Sequence, residues 1–553
     1  MDKWVAQSFS EITYKYNSRV IDNIGLSVTL LLLLVIICSI LSLLISGFKS
    51  DDSYLTIHDI LEILKFTFLQ SFLSVLSSLL LGIYVAKILI KIKSSFIKTV
   101  LLSLSSVAFV IPTVVAGIGI IKVWGGNGLL GLIEFFFGFN DNELFLFGLF
   151  GILLAHIFFN APLFLRVFYS CLDSIPENYL KNSTQLNLNG LNYFKVIEWP
   201  FIKPVLPLLT GIVFLQCFTS FSLILMLGGG PSSSTLEVAI YTAVRYDFDL
   251  QSAAILAIFQ LFICLVVLII LDNFQKNKIS NIQIETTSKN YLKRSSKNFL
   301  EKFFNVISLL VYLILVLSPL FLLIISGINL EIVNILKSPR TLQVFTNSLV
   351  IALVSSFITV LVSWFICEAR TNLIIKSELG YNKLVILKFF NLSILMYLAV
   401  PSIVMGTGLF IILKGMISYN YFPIIILIFS NVMLCLPFTV NIIQSKSIFL
   451  RRKHDLLCAS LGIDGINRFL NIDFPSLRHV FGFSLGISAC LSLGDLSVIA
   501  LFGSENFQTI PWLIFQFMSS YKIDEASSVS TLLIALCFII FYFFSRYVGG
   551  KDA

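Results

Sequence analysis

The sequence predicts an all-α integral membrane protein whose twelve transmembrane helices form two parallel six-helix repeats. Three observations predict it. The mean hydropathy is +0.94 and 12% of the residues are charged, about half the share of a soluble globular chain. Twelve apolar runs each approach or exceed the roughly 20 residues that cross a hydrocarbon core. A polar string, "LNLNGLNYFKVIEWP" from Leu186 to Pro200, returns 275 residues later as "LGIDGINRFLNIDFP" from Leu461 to Pro475.

The first run, 24–47, follows a segment mixing Lys3, Lys15 and Arg19 with Asp2, Glu11 and Asp22. It is too long for a cleaved leader and lacks a small-residue cleavage site, so it is expected to remain as the first span. Runs at 64–87 and 99–124 follow. The gap after the second carries Lys87, Lys91, Lys93 and Lys98, whereas the gap after the third has no Lys or Arg between Gly125 and Leu144. Runs at 145–170, 204–227 and 250–271 complete the first half. The gap after the sixth holds Lys276, Lys278, Lys289, Lys293, Arg294, Lys297 and Lys302. Runs at 303–327, 341–367, 387–413, 421–444, 479–502 and 526–547 make the second half, with Arg370, Lys376, Lys383 and Lys388 after the eighth. Lys and Arg favour the cytoplasmic side, so both termini are expected there. The net charge of +8 then needs no nucleic acid to explain it. The expected domains are residues 1–271, a cytoplasmic linker 272–302, and residues 303–553.

Six spans per half bring both halves into the membrane in the same direction. Pro162 and Pro437 also repeat at 275 residues, and "PTVVAGIG" (Pro112 to Gly119) returns as "PSIVMGTG" (Pro401 to Gly408). A proline inside the third and ninth spans should kink them, and the glycines two apart, Gly117 with Gly119 and Gly406 with Gly408, thin them. Such a segment can line a substrate path or pack tightly on a neighbour.

Both polar strings fall after the fourth helix of a half. Each should be a short amphipathic helix closed by a left-handed cap at Asn187 or Gly462, with Gly190/Gly465 and Phe194/Phe469 matched, before the chain turns back at Pro200 or Pro475. Such a helix can seat in a groove of a soluble partner or rest on lipid headgroups. A matched register suits a two-fold partner.

Other candidates are single residues. Asp495 is an isolated acid in the eleventh span, with Ser220 as its mate, and either lines the outer path or is bonded to Ser492 or Ser497. His156 and Asn160 share a face of the fourth span and either line the path or bond between helices. The segment Gly228 to Leu250, with Glu237, Tyr241, Tyr246, Asp247 and Asp249, could dock a binding protein or form an interfacial aromatic belt. The nine cysteines, without a C-x-x-C pair, read as buried apolar residues, and the four histidines are too scattered for a metal site. No metal or cofactor is expected.

The repeated strings resemble the cytoplasmic EAA loop of ABC importer permeases, in which a glycine precedes a closing proline. That position is Asn187 in the first copy and Gly462 in the second; the triplets read Lys181-Asn182-Ser183 and Leu456-Leu457-Cys458. A single chain with two such loops is similar to the fused permeases of the iron(III) and thiamine importers. "GILLAHIFFNAP", "LGGGPSSSTLEVAIYTAVRYDFDLQSAAILAIFQ" and "LSLGDLSVIALFG" look most like the thiamine (thiamine pyrophosphate) permeases. The resemblance implies the type I ABC importer permease fold, the bacterial inner membrane, an ABC ATPase homodimer that binds the ATP, and a periplasmic substrate-binding protein. It leaves an iron(III) permease as the alternative. The chain itself is not expected to be an enzyme, since it has no G-x-x-x-x-G-K-[ST] string. A six-plus-six proton-coupled carrier would carry more ionisable residues within its spans and would not need matched loops.

Overall fold

In hydrocarbon only a helix or a closed barrel satisfies its own backbone groups, and in the computed structural model the apolar runs are helical. The structure describes residues 18–48, 55–92, 94–107, 111–125, 128, 146–230, 233–275, 299–329, 331–378, 384–414, 422–463, 465–505 and 507–549. Residues 276–298 of the expected linker lie outside them, as do 1–17 and 550–553 at the termini.

The first half comprises α1 (Ser18–Gly47), α2 (Ile57–Lys91), α3 (Ser95–Val107), α4 (Thr113–Trp124), α5 (Leu149–Asp173), α6 (Glu177–Gln185), α7 (Gly190–Tyr193), α8 (Trp199–Ile202), α9 (Leu206–Phe218), α10 (Ser222–Leu227), α11 (Leu236–Arg245) and α12 (Leu250–Gln275). The second comprises α13 (Phe299–Gly327), α14 (Glu331–Lys337), α15 (Pro339–Glu378), α16 (Leu384–Ala399), α17 (Ser402–Leu413), α18 (Phe422–Ser460), α19 (Gly465–Arg468), α20 (Phe474–Gly494), α21 (Ser497–Phe502), α22 (Ile510–Ser519) and α23 (Ile523–Phe543). Among the described residues, nine helices are long and apolar enough to cross a membrane, and the bent pair Gly190–Ile202 with Leu206–Phe218 makes a tenth. The third and ninth expected spans are the other two, and each is divided.

Their division corrects the expectation of a kink within one helix. Pro112 and Pro401 stand outside α4 and α17 as N-cap residues, at ψ 138° and 129°. A proline ring cannot accept the position after a continuing helical turn, but it fits the start of a new one. The fifth and eleventh spans are broken as well, after Phe218 and after Gly494. Asp495 therefore lies at a break, with extended backbone at φ −76°, ψ 123°, and not within a continuous helix as expected.

The tenth span also differs from its reading. The first copy ends α5 at Asp173 and starts α6 after Pro176, whereas α18 runs unbroken to Ser460. The residue 275 places after Pro176 is Arg451, which continues the helix. The second polar string thus begins at the end of a long helix and not after a separate short one.

The opening helix of each half crosses to the other. α1 packs on α15 and α17, and α13 packs on α4 and α2. Along α1 the buried residues Thr29, Leu32, Leu33, Ile36, Ser39 and Leu43 form one stripe, while Leu30, Leu31, Leu34, Ile37 and Leu41 are exposed. Apolar side chains left outside at this density suit lipid, not water. Small residues bring the crossing backbones together: a Cβ placed on Gly25 would lie 2.5 Å from the Phe365 carbonyl oxygen of α15.

Candidate functional site

The two polar strings fold into the same backbone turn. Asn187 has φ 48° and Gly462 φ 63°, the left-handed region that Gly and Asn enter at least cost. In the first copy Leu188 N–H donates to the Ser183 carbonyl at 3.0 Å, and in the second Ile463 N–H donates to Cys458 at 2.9 Å. This six-to-one bond closes a helix over a left-handed residue. Three residues later Gly190 and Gly465 are again left-handed, at 55° and 54°.

A π-helical turn follows in each copy, Phe194–Glu198 and Phe469–Asp473. Trp199 N–H reaches the Phe194 carbonyl, and Phe474 N–H reaches that of Phe469. Pro200 and Pro475 come next and have no N–H to donate. The widened turn absorbs the missing bond, so neither proline turns the chain back as the sequence suggests. In the first copy the bend falls between Ile202 and Leu206, at 68°, where Pro204 stands. Its counterpart is His479, and α20 runs through that position without a break.

Each turn is anchored to the second span of its own half, α2 or α15. Lys87 of α2 lies 3.8 Å over the Phe194 ring and 2.7 Å from a Glu198 carboxylate oxygen. The Phe469 ring sits 4.6 Å from Trp364 of α15. Asp473, the mate of Glu198, belongs to a larger network. Arg468 reaches Asp473 at 3.2 Å and Asp455 at 2.6 Å, and Arg451 pairs with Asp455 and Glu368. The apolar side chains at the tips face outward: Leu186 is 70% exposed and Leu461 62%.

The divided spans present the other candidates. Pro112, Gly117, Gly119, Pro401, Gly406 and Gly408 are all buried. A Cβ on Gly117 would meet the Met226 sulfur at 2.9 Å, and one on Gly406 would meet Val498 at 3.4 Å and Leu501 at 3.6 Å. Met226 and Leu501 are repeat mates. The outer glycines face the crossing helices, Gly119 the Pro319 carbonyl oxygen at 2.8 Å and Gly408 that of Ser39 at 2.0 Å. All four glycines therefore stand at helix crossings.

His156 and Asn160 lie in a polar seam between α2, α5 and α9. His156 Nδ1 is 2.8 Å from Ser74 Oγ, and Asn160 Nδ2 donates to Cys217 Sγ at 3.3 Å. The seam repeats: Asn431, mate of His156, donates to Ser492, mate of Cys217, at 2.7 Å. Ser492 Oγ also bonds Ser355 at 2.8 Å, and the Ser492 carbonyl accepts Asp495 N–H at 3.5 Å. The Asp495 side chain accepts through Oδ1 from Ser497 N–H at 3.1 Å at the start of α21.

The segment Gly228 to Leu250 splits. Tyr246, Asp247 and Phe248 are exposed, whereas Glu237, Tyr241 and Asp249 are buried and offer a docking partner no surface. Gln260 of α12 donates to Glu237 at 3.1 Å. Sequence reasoning missed this pair, and also missed Lys87, Trp364 and the Glu368–Arg451 contact. The available signals were an acid and a cation, Glu368 and Lys87, placed in or at the end of otherwise apolar runs.

Comparison with known proteins identifies relatives of the chain. Residues 78–279 match the family described as "Binding-protein-dependent transport system inner membrane component". The chain is 32% identical to the thiamine transport system permease protein of Haemophilus influenzae over 89% of its own length and 89% of that protein. It is 29% identical to that of Escherichia coli (strain K12) over 95% and 96%. A ferric transport system permease protein of Actinobacillus pleuropneumoniae is 26% identical over 48% of this chain and 39% of its own.

Proposed function

We propose a working cycle from one premise: the chain belongs to the family of thiamine transport system permease proteins and is the membrane permease subunit of a thiamine ABC importer. Near full-length similarity to the thiamine permeases, against half-length similarity to a ferric one, favours thiamine over iron(III).

The observation that carries the cycle is the matched pair of turns, left-handed at Asn187 and Gly462 and again at Gly190 and Gly465. A homodimeric ATPase offers two identical grooves, and two copies of one turn in one chain suit them. The exposed Leu186 and Leu461 at their tips would seat in those grooves. The ATPase dimer would lie on the cytoplasmic side with both termini of the chain, and a periplasmic binding protein would deliver thiamine at the opposite end.

When the ATPase closes on ATP, the turns would be drawn together. The first would pull α2 through Lys87, and the second would pull α15 through Trp364 and the Glu368–Arg451 pair. Because α1 and α13 cross between halves, neither half could move without carrying a helix of the other. Uptake of labelled thiamine, thiamine pyrophosphate and iron(III) by cells with and without the importer tests the reading. ATP-dependent thiamine uptake is expected; uptake of iron(III) alone would overturn it.

A further inference from the structure

Glu237 is 1% exposed, on a helix of the first half, and one of its carboxyl oxygens has no partner. The other accepts from Gln260, whose own side-chain oxygen is also buried and unpartnered. A buried carboxyl with acceptor atoms around it is costly until a proton or another cation joins it. Asp495, partly buried at the break in the eleventh span, caps the start of α21, and α11, which carries Glu237, packs on that helix. The two acids come from opposite halves, and Arg245 joins the helices that carry them. Its guanidinium, on the helix of Glu237, donates to the Leu501 carbonyl at 2.8 Å and to that of Gly503 at 3.2 Å, closing the helix that Asp495 opens.

Packing contacts in this chain tend to be duplicated, as Gly117 on Met226 and Gly406 on Leu501 are. These acids are not: with the helices aligned on their starts at Leu236 and Ile510 and at Leu250 and Ile523, the mates of Glu237, Gln260 and Asp495 are Pro511, Leu533 and Ser220. A structural need of the two-fold frame would recur in both halves, whereas one asymmetric ligand needs one site. We propose that Glu237 and Asp495 form a single cation site between the halves, which takes the positively charged thiazolium ring of thiamine during its passage. This rests on the thiamine reading above.

Glu237→Gln keeps an acceptor for Gln260, and Asp495→Asn keeps a side chain able to cap α21, so each removes charge with little change of shape. In proteoliposomes holding the permease with its ATPase and thiamine-loaded binding protein, uptake per assembled importer should fall at least tenfold in Glu237→Gln and severalfold in Asp495→Asn. Glu237→Asp should recover part of the loss. Normal uptake by the unmodified importer with both neutral variants within twofold of it overturns the site alone; no uptake by the unmodified importer overturns the functional reading and this site with it. Equilibrium dialysis on the unmodified importer covers the case in which the variants fail to accumulate. Labelled thiamine should be displaced at least tenfold more weakly by thiochrome, its neutral oxidised form, than by thiamine, and equal displacement overturns the site.

Discussion

Gly408 and Ser39 belong to opposite halves and touch backbone to backbone: a Cβ at 408 would stand 2.0 Å from the Ser39 carbonyl oxygen. Ser42, one turn further along α1, donates to the Gly408 carbonyl at 2.8 Å. The crossing helix of the first half is thus pinned at a position that admits only hydrogen.

The clearances at the four repeated glycines predict a graded response to alanine. Gly408→Ala should destabilise most, by about 1–3 kcal/mol or more, because a backbone must move. Gly119→Ala, at 2.8 Å from the Pro319 carbonyl oxygen, should follow, and Gly117→Ala should be milder because a flexible Met226 can yield. Gly406→Ala, with 3.4 Å of room, should be nearly neutral. Thermal unfolding of the four purified variants checks the order; equal effects at 406 and 408 would contradict it.

The pair Glu368–Arg451 is mostly enclosed, with side-chain exposures of 4% and 14%, so removing one partner strands a charge. Arg451→Met should cost about 3–5 kcal/mol, and the double change Glu368→Leu with Arg451→Met should recover most of it. Thermal unfolding again reads the result. A double variant as unstable as the single would mean that the pair contributes more than mutual neutralisation.

What could be read from the chain alone was local. Asn187 and Gly462 announce left-handed caps by their own chemistry, and the repeat aligns them without any structure. The π-turns were not legible, because they arise from a missing N–H at Pro200 and Pro475 together with anchors a hundred residues away in Lys87 and Trp364. The unbroken α18 could have been read, since Arg451 stands where the first copy has Pro176. Glu237 sits in a string polar enough to pass for an outer loop, whereas packing of α11 on α12 buries it beside Gln260. Breaks at Ser220 and Asp495 carry no proline, so neither position shows the breaker that marks Pro112 and Pro401.

Orientation is predicted by the alternation of Lys and Arg. With Cys38 replaced by serine, Ser233→Cys should react with a membrane-impermeant thiol reagent in intact cells. Asn281→Cys, outside the described residues, should react only after lysis. The reverse pattern would invert the chain.

The central claim is that the two matched turns pass ATP hydrolysis into thiamine movement, and position 462 tests it most directly. A Cβ there meets nothing of this chain within 4 Å, so within the permease the effect of a side chain comes from φ 63°, and asparagine controls for contact with the ATPase. Valine resists that conformation by at least about 1–2 kcal/mol, while asparagine tolerates it. ATP-driven accumulation of labelled thiamine in proteoliposomes, with thiamine-dependent ATP hydrolysis read alongside, should fall at least tenfold further in Gly462→Val than in Gly462→Asn or Asn187→Gly. Gly462→Val importing thiamine as well as Gly462→Asn would contradict the account.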